Sequence, residues 1–190
     1  MTIAKVLIPI FVVLALTATT GCKRSMGRLS EVRLQRVAWA EVNKRGLSAG
    51  CCSTMEWIRV DFLSDVDYTH LANHGIHPSV RYGWCPVDRD HDLGISGLFS
   101  DSSEVNGTTV MVPVTGHAGQ ALYAYHAFFT SSRPPSRYTR PAEGDGAYDL
   151  REAKGDFCIA VAGGVMWLGR YRQSNGGVVP KVELSKVLGP

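Results

Sequence analysis

Strong charge of either sign is missing from this sequence. Lys and Arg number 20 and Asp and Glu 17, a formal net charge of +3 over 190 residues, so nothing in it demands a nucleic-acid backbone or an anionic surface as partner. No internal repeat of about 20 to 50 residues is present, which excludes solenoids and propellers. The apolar run near the start, Val6 to Leu16, has 11 residues, short of the roughly 20 that a membrane-spanning helix needs. Pro9 interrupts it as well. The cysteines lack C-x-x-C spacing, the usual frame of a zinc site. Around Asp88, Asp90, His91 and Asp92 the order of oxygen ligands and the closing Glu of an EF-hand are absent, so that group reads as an exposed hairpin turn. No metal and no cofactor are expected.

The first 21 residues are laid out as an export signal. One positive charge at Lys5 precedes the apolar run, and the small residues Thr17-Ala18-Thr19-Thr20-Gly21 follow it. Charge fixes the orientation, the apolar run enters the bilayer, and small residues let a peptidase reach the backbone. Thr19-Thr20-Gly21-Cys22 resembles a bacterial lipobox, in which a small residue precedes the cysteine that receives lipid. The resemblance implies a diacylglycerol on the Cys22 sulfur and a further acyl chain on its new amino group. Two or more chains hold a protein stably to a membrane where one holds only marginally. Lys23 follows where Asp would favour the inner membrane, so the implied address is the periplasmic leaflet of the outer membrane. Ordinary cleavage nearby, leaving Cys22 unmodified, is the competing outcome.

The expected organisation is a signal peptide over 1–21, a polar tether over 22–30 and a single domain over 31–190. Removing 21 of the 190 residues takes away only Lys5 among charged groups and leaves 169 residues with 19 basic and 17 acidic side chains. That length is one domain by ordinary size, large enough for a core of its own. With Cys22 given to lipid, Cys51, Cys52, Cys85 and Cys158 remain, and an even count in an exported chain suggests two disulfides. The pairings that join Cys51 and Cys52 separately to Cys85 and Cys158 are preferred, because a bond between adjacent cysteines distorts its peptide.

Period-two alternation runs through most of the chain. Ile58, Val60 and Phe62 share a side, as do Val80, Tyr82 and Trp84, and again Val110, Val112 and Val114. The stretch from Ala121 to Phe129 is apolar on both faces and reads as a central strand. Phe157, Ile159 and Val161 form another strand, and Val178 to Leu184 a last one. Glu31 to Lys44 fits a helix or a strand equally. Asp65 to Pro78 has room for a short helix, and Ser131 to Ala147, with three prolines, reads as a long exposed loop. The fold class expected is all-β and mainly antiparallel, a β-sandwich or barrel-like single domain with a short helix near the N-terminus. An immunoglobulin-like form would let Cys85 and Cys158 bridge two sheets, but Asp156 stands where that fold would place a Tyr.

Each candidate for chemistry has a plainer reading beside it. Gly46-Leu47-Ser48-Ala49-Gly50 matches the nucleophile-elbow pattern, yet a polar stretch precedes it and Cys51-Cys52 follows, so neither the strand nor the helix that it needs is present. His70, His74 and His77 would share one helical face, but Gly75 and Pro78 break the helix, and solvated histidines are the simpler account. No catalytic residue is assigned. Arg133, Arg137, Tyr138 and Arg140 make a basic strip with one aromatic in the proline-containing loop, the residue types favoured where proteins bind proteins. They are the candidate partner contacts.

The last third, with Gly155-Asp156-Phe157-Cys158-Ile159-Ala160-Val161 and Gly169-Arg170-Tyr171-Arg172-Gln173-Ser174, resembles small periplasmic lipoproteins proposed as type VI secretion immunity proteins. That resemblance implies a non-enzymatic domain that binds a secreted toxin and blocks it. A structural or assembly lipoprotein of an envelope or secretion complex is the alternative.

Overall fold

The computed structural model describes residues 26–44, 54–87, 92–101, 104–106, 109–116, 119–133, 147–164 and 172–189. It is built mainly of antiparallel strands: β1 (Leu29–Val37), β2 (Trp57–Ser64), β3 (His77–Trp84), β4 (Asp92–Gly97), β5 (Val114–Thr115), β6 (Ala121–Thr130), β7 (Ser132–Arg133), β8 (Tyr148–Asp149), β9 (Phe157–Gly164), β10 (Arg172–Gln173) and β11 (Gly177–Val179). Three short helices accompany them: α1 (Trp39–Asn43), α2 (Tyr68–Asn73) and α3 (Lys181–Leu188). The all-β expectation is met.

One sheet has the order β1-β2-β6-β5. The other runs β10-β9-β3-β4, with β11 also paired to β9. Backbone links join the two sheets at both borders. On one side Phe99, just beyond β4, exchanges hydrogen bonds with His126 of β6 at 2.8 and 2.9 Å. On the other, Asn175 N donates to Gly27 O at 2.9 Å and Met26 N to Gln173 O at 3.3 Å. The result lies between a sandwich and a barrel, with its main core between the sheets.

Alternation creates that core. In β2, Ile58, Val60 and Phe62 point inward and are at most 2% exposed. From the facing sheet, Val80 and Tyr82 of β3 and Phe157, Ile159 and Val161 of β9 meet them. The Tyr82 and Phe129 rings stack across the interface at 4.8 Å, and Phe129 lies 5.1 Å from Phe157. As its sequence implies, β6 is buried on both faces: Tyr125, Ala127 and Phe129 join the main core, while Phe128 joins Val42, Trp57 and Phe99 in a second cluster under α1.

Several expectations are corrected. Cys85 and Cys158 are bonded to each other, with Cα atoms 5.0 Å apart. The preferred separate pairings with Cys51 and Cys52, which lie outside the described residues, therefore do not form. Nor does the bond bridge two sheets, because β3 and β9 are neighbours in one sheet, with Gly83 opposite Cys158. Val178 to Leu184 is not one strand: β11 stops at Val179, and Lys181 N donates to Asp156 Oδ1 at 2.9 Å to open α3. That helix buries Leu184 and Leu188. The strand expected over Val110, Val112 and Val114 shrinks to the two residues of β5, Val114–Thr115, and all three valines stand exposed. The ambiguous stretch resolves into β1 followed by α1, and Asp65 to Pro78 does hold a short helix, α2.

Candidate partner-binding groove

At the Trp57–Thr130 end of the first sheet the two sheets part and leave a groove of about 320 Å³. Its walls come from β2 and β6 on one side and from β3 and β4 on the other. Met55, Trp57, Ile95, Phe128 and Arg133 line it. Ile95 stands 64% exposed, so its apolar surface awaits cover. Arg133 is the only charged residue among the described ones that line it.

Local chemistry holds the groove in shape. Ser96 stitches the seam between sheets: its hydroxyl donates to Phe128 O at 2.7 Å and accepts from Phe128 N at 3.3 Å. Gly94 lets β4 pass close by, since a Cβ there would lie 2.7 Å from the Tyr82 hydroxyl and 3.0 Å from Arg133 Nη2. The Arg133 guanidinium sits over the Tyr148 ring, 5.4 Å from its centroid, an arrangement that cation–π attraction favours. Its Nη1 donates to Leu93 O at 3.3 Å. Two strand pairs, Ser132 with Asp149 and Arg133 with Tyr148, fix its backbone. Tyr148 in turn donates to Thr130 O at 3.0 Å.

Beneath Arg133 lies the Tyr82 phenol. Burial pushes its ionisation well above the ordinary tyrosine value, and the nearby Tyr148 adds to the effect while Arg133 opposes it. Tyr82 is therefore a neutral hydrogen-bonding group at physiological pH. No carboxylate among the described residues forms an ion pair with Arg133, so its charge is open to an acidic group from elsewhere. The groove combines an apolar floor with one cation at its rim, the combination found where a protein side chain anchors in a partner.

A second cavity, about 220 Å³, lies on the outer face of the first sheet between Arg59, Asp61, Asp101 and His126. Arg59 Nε donates to Asp61 Oδ1 at 2.7 Å and Nη1 to Glu41 at 3.0 Å, while Gln35 donates to Asp61 Oδ2 at 3.1 Å. Burial raises the Asp61 carboxyl above its ordinary value, and Arg59 pulls the other way. Both Asp61 oxygens are thus engaged in a network that joins β1, β2 and α1. The lining contains no Ser, Thr, Cys or Lys. This is an ion-pair cluster bracing the sheet.

Of the sequence candidates, Arg133 falls in the groove. Arg137, Tyr138 and Arg140, together with Cys22, Ser48, Asp88, Asp90 and His91, lie outside the described residues. His70 and His74 are neighbours on and just after α2, with ring centroids 4.6 Å apart. His77 instead begins β3, and among the described residues no group of three His, Cys, Asp or Glu is placed to hold a metal. Asp92 forms an ion pair with Arg81 and accepts from Gly94 N at 2.9 Å. Sequence reasoning missed Met55, Trp57 and Ile95. Only the Leu93, Ile95 alternation hinted at a strand there, and nothing in it marked an open side. Neither protein-family models nor curated proteins nor solved structures gave a match to this chain.

Proposed function

We propose that this protein is a lipid-tethered extracytoplasmic binding protein that captures another protein in the groove between its sheets. The carrying observation is the apolar groove with Arg133 at its rim, a cation that no carboxylate among the described residues pairs. Met55, Trp57 and Ile95 receive an apolar side chain of the partner, and Arg133 pairs with a carboxylate beside it. The Cys85–Cys158 bond supports export, because disulfides persist in oxidising compartments.

The resemblance to immunity lipoproteins makes a secreted toxin the partner to test first, blocked by occlusion and without catalysis. The experiment mixes the purified domain with the product of the adjacent gene. A one-to-one complex that protects susceptible cells is expected, weakened on the order of tenfold or more by Arg133→Glu. Binding unaffected by that charge reversal removes the groove from the account, and no complex at all removes the toxin reading.

A further inference from the structure

We propose that the segment Val110–Val114 is a membrane-contact edge, resting in the interfacial layer of the bilayer to which Cys22 ties the chain. The proposal deepens the tether reading and rests on acylation of Cys22. Among the described residues six large hydrophobic side chains stand exposed, and three of them lie here at alternate positions: Val110 at 84%, Val112 at 78% and Val114 at 43%. Met111, between the first two, packs against the main core. Pro113 and Thr115 are exposed as well, so the segment is held through Met111 and is otherwise bare. No Asp, Glu, Lys or Arg occurs from Val105 to Ser132; the charge next to the segment is Glu104, whose carbonyl accepts from the Thr109 hydroxyl at 3.2 Å.

Strand register places Val114 at the same end of the first sheet as the point where the chain enters the fold, although β5 and β1 are its opposite edges. Leu29 of β1 lies opposite Ser64 of β2, Ser64 opposite Tyr123 of β6, and Leu122 opposite Val114 of β5. Three strand spacings separate Leu29 from Val114, about 14 Å at the usual spacing. Met26, already buried, lies four residues after Cys22, and four residues span at most about 14 Å. An acylated Cys22 cannot let this end of the sheet drift far from the bilayer. Lys23, Arg24 and Arg28 in the same approach suit an anionic headgroup layer.

A second copy adding its strand to β5 is the competing occupant. The shortness of the edge opposes it: β5 has two residues, and Pro113, which has no N–H, stands directly before them. It does nothing to prevent contact between valine side chains and lipid. Apolar burial strengthens with area in the interfacial layer, and three exposed valines within five residues supply that area.

The test uses the full lipidated chain in vesicles of phosphatidylethanolamine and phosphatidylglycerol whose acyl chains carry a diazirine. Photolysis followed by digestion and mass spectrometry should find lipid on residues 109–116. The adduct yield there should fall at least about fivefold in Val110→Ser/Val112→Ser/Val114→Ser. Val112→Ser alone, a change at an exposed side chain, serves if the triple variant folds poorly. Ile95, exposed on β4 of the other sheet and lining the groove at the Trp57–Thr130 end, should stay nearly unlabelled. Mass analysis of the N-terminal peptide reads Cys22 in the same sample. Acylated Cys22 with no excess labelling of 109–116 over Ile95 overturns the membrane edge and leaves the tether standing. Unacylated Cys22 removes both. Crosslinks between copies at 109–116 in place of lipid adducts assign the edge to a second copy and overturn the proposal.

Discussion

The two ends of the first sheet expose different chemistry. At the Trp57–Thr130 end, aromatic and aliphatic side chains line a groove with one cation at its rim. At the Ser64–Tyr123 end, the chain enters from its N-terminus, and exposed valines lead into the edge strand β5. The seven steps along β2 from Trp57 to Ser64 separate these ends by about 23 Å. On the two proposals above, one strand links a surface for a protein side chain to a surface for lipid. On the proposed tether, the groove is held away from the bilayer and open to whatever arrives.

The largest effect should come from breaking what both ends share. Phe129 is 2% exposed and stacks on Tyr82 while touching Phe157. Phe129→Ala should cost about 3 to 5 kcal/mol, measurable by urea denaturation, and should also collapse the groove wall. If stability falls but capture is unchanged, the groove is not built on this ring. Next comes Cys85→Ser/Cys158→Ser, which opens a loop with a sequence separation of 73. A loss of about 2 to 4 kcal/mol is expected, and reduction of the native protein should match it.

A smaller loss isolates the tether end. Gly27 has φ +94°, and a Cβ there would come within 2.5 Å of both Asp65 Oδ1 and Val66 Cγ2. Gly27→Ala should destabilise by about 1 to 3 kcal/mol, loosening Met26 and the Arg28 bridge to Asn175 first. Hydrogen exchange should quicken there before it does at Ser96. Uniform quickening would show that the two ends unfold together and have no independence.

Alkali supplies a change that neither end escapes. Burial pushes the phenols of Tyr68, Tyr82 and Tyr125 above the ordinary tyrosine value. A raised folded-state value means that the native state holds these protons more tightly. The stability they contribute is fully present below pH of about 10, the unfolded value, and falls as pH climbs from there toward the folded value. A pH-dependent melt should be flat through neutrality and drop above that point. Tyr125→Phe should lessen the slope, since Tyr125 accepts at 2.9 Å from Tyr68 N but has no charge partner to lose.

How much of this was legible varies with the range of the cause. Alternation placed Ile58, Val60 and Phe62 together and identified β6 as buried on both faces, because those are properties of one strand against any core. It also read Val110, Val112 and Val114 as a strand, where only Val114 lies in one and all three stand exposed, because an alternating pattern alone does not supply the neighbouring strand that a ladder needs. Val178 to Leu184 read as a strand because the window stopped before Leu188. The i, i+4 pair Leu184 and Leu188, with Asp156 receiving Lys181 N, is what makes it helical. The cysteine pairing depended on β3 lying next to β9, a register that no local pattern carries. Arg133 stood out as part of a basic strip, whereas Met55, Trp57 and Ile95 become a site only when four strands bring them together.

The smallest change in stability should give the clearest separation of function. Arg133 is exposed, and its contacts within the fold are one carbonyl, a long approach to the Tyr82 hydroxyl and the Tyr148 ring. Neutralising it by Arg133→Gln should therefore shift stability by no more than about 1 kcal/mol. Val112→Ser, at the opposite end and 78% exposed, should shift it by about half that or less. Titration calorimetry with the captured partner then divides them. Arg133→Gln should weaken capture on the order of tenfold, and Val112→Ser should leave it unchanged in the detached domain. Equal weakening by both would mean that the partner spans the whole sheet, and the contrast between its ends would then describe one continuous interface.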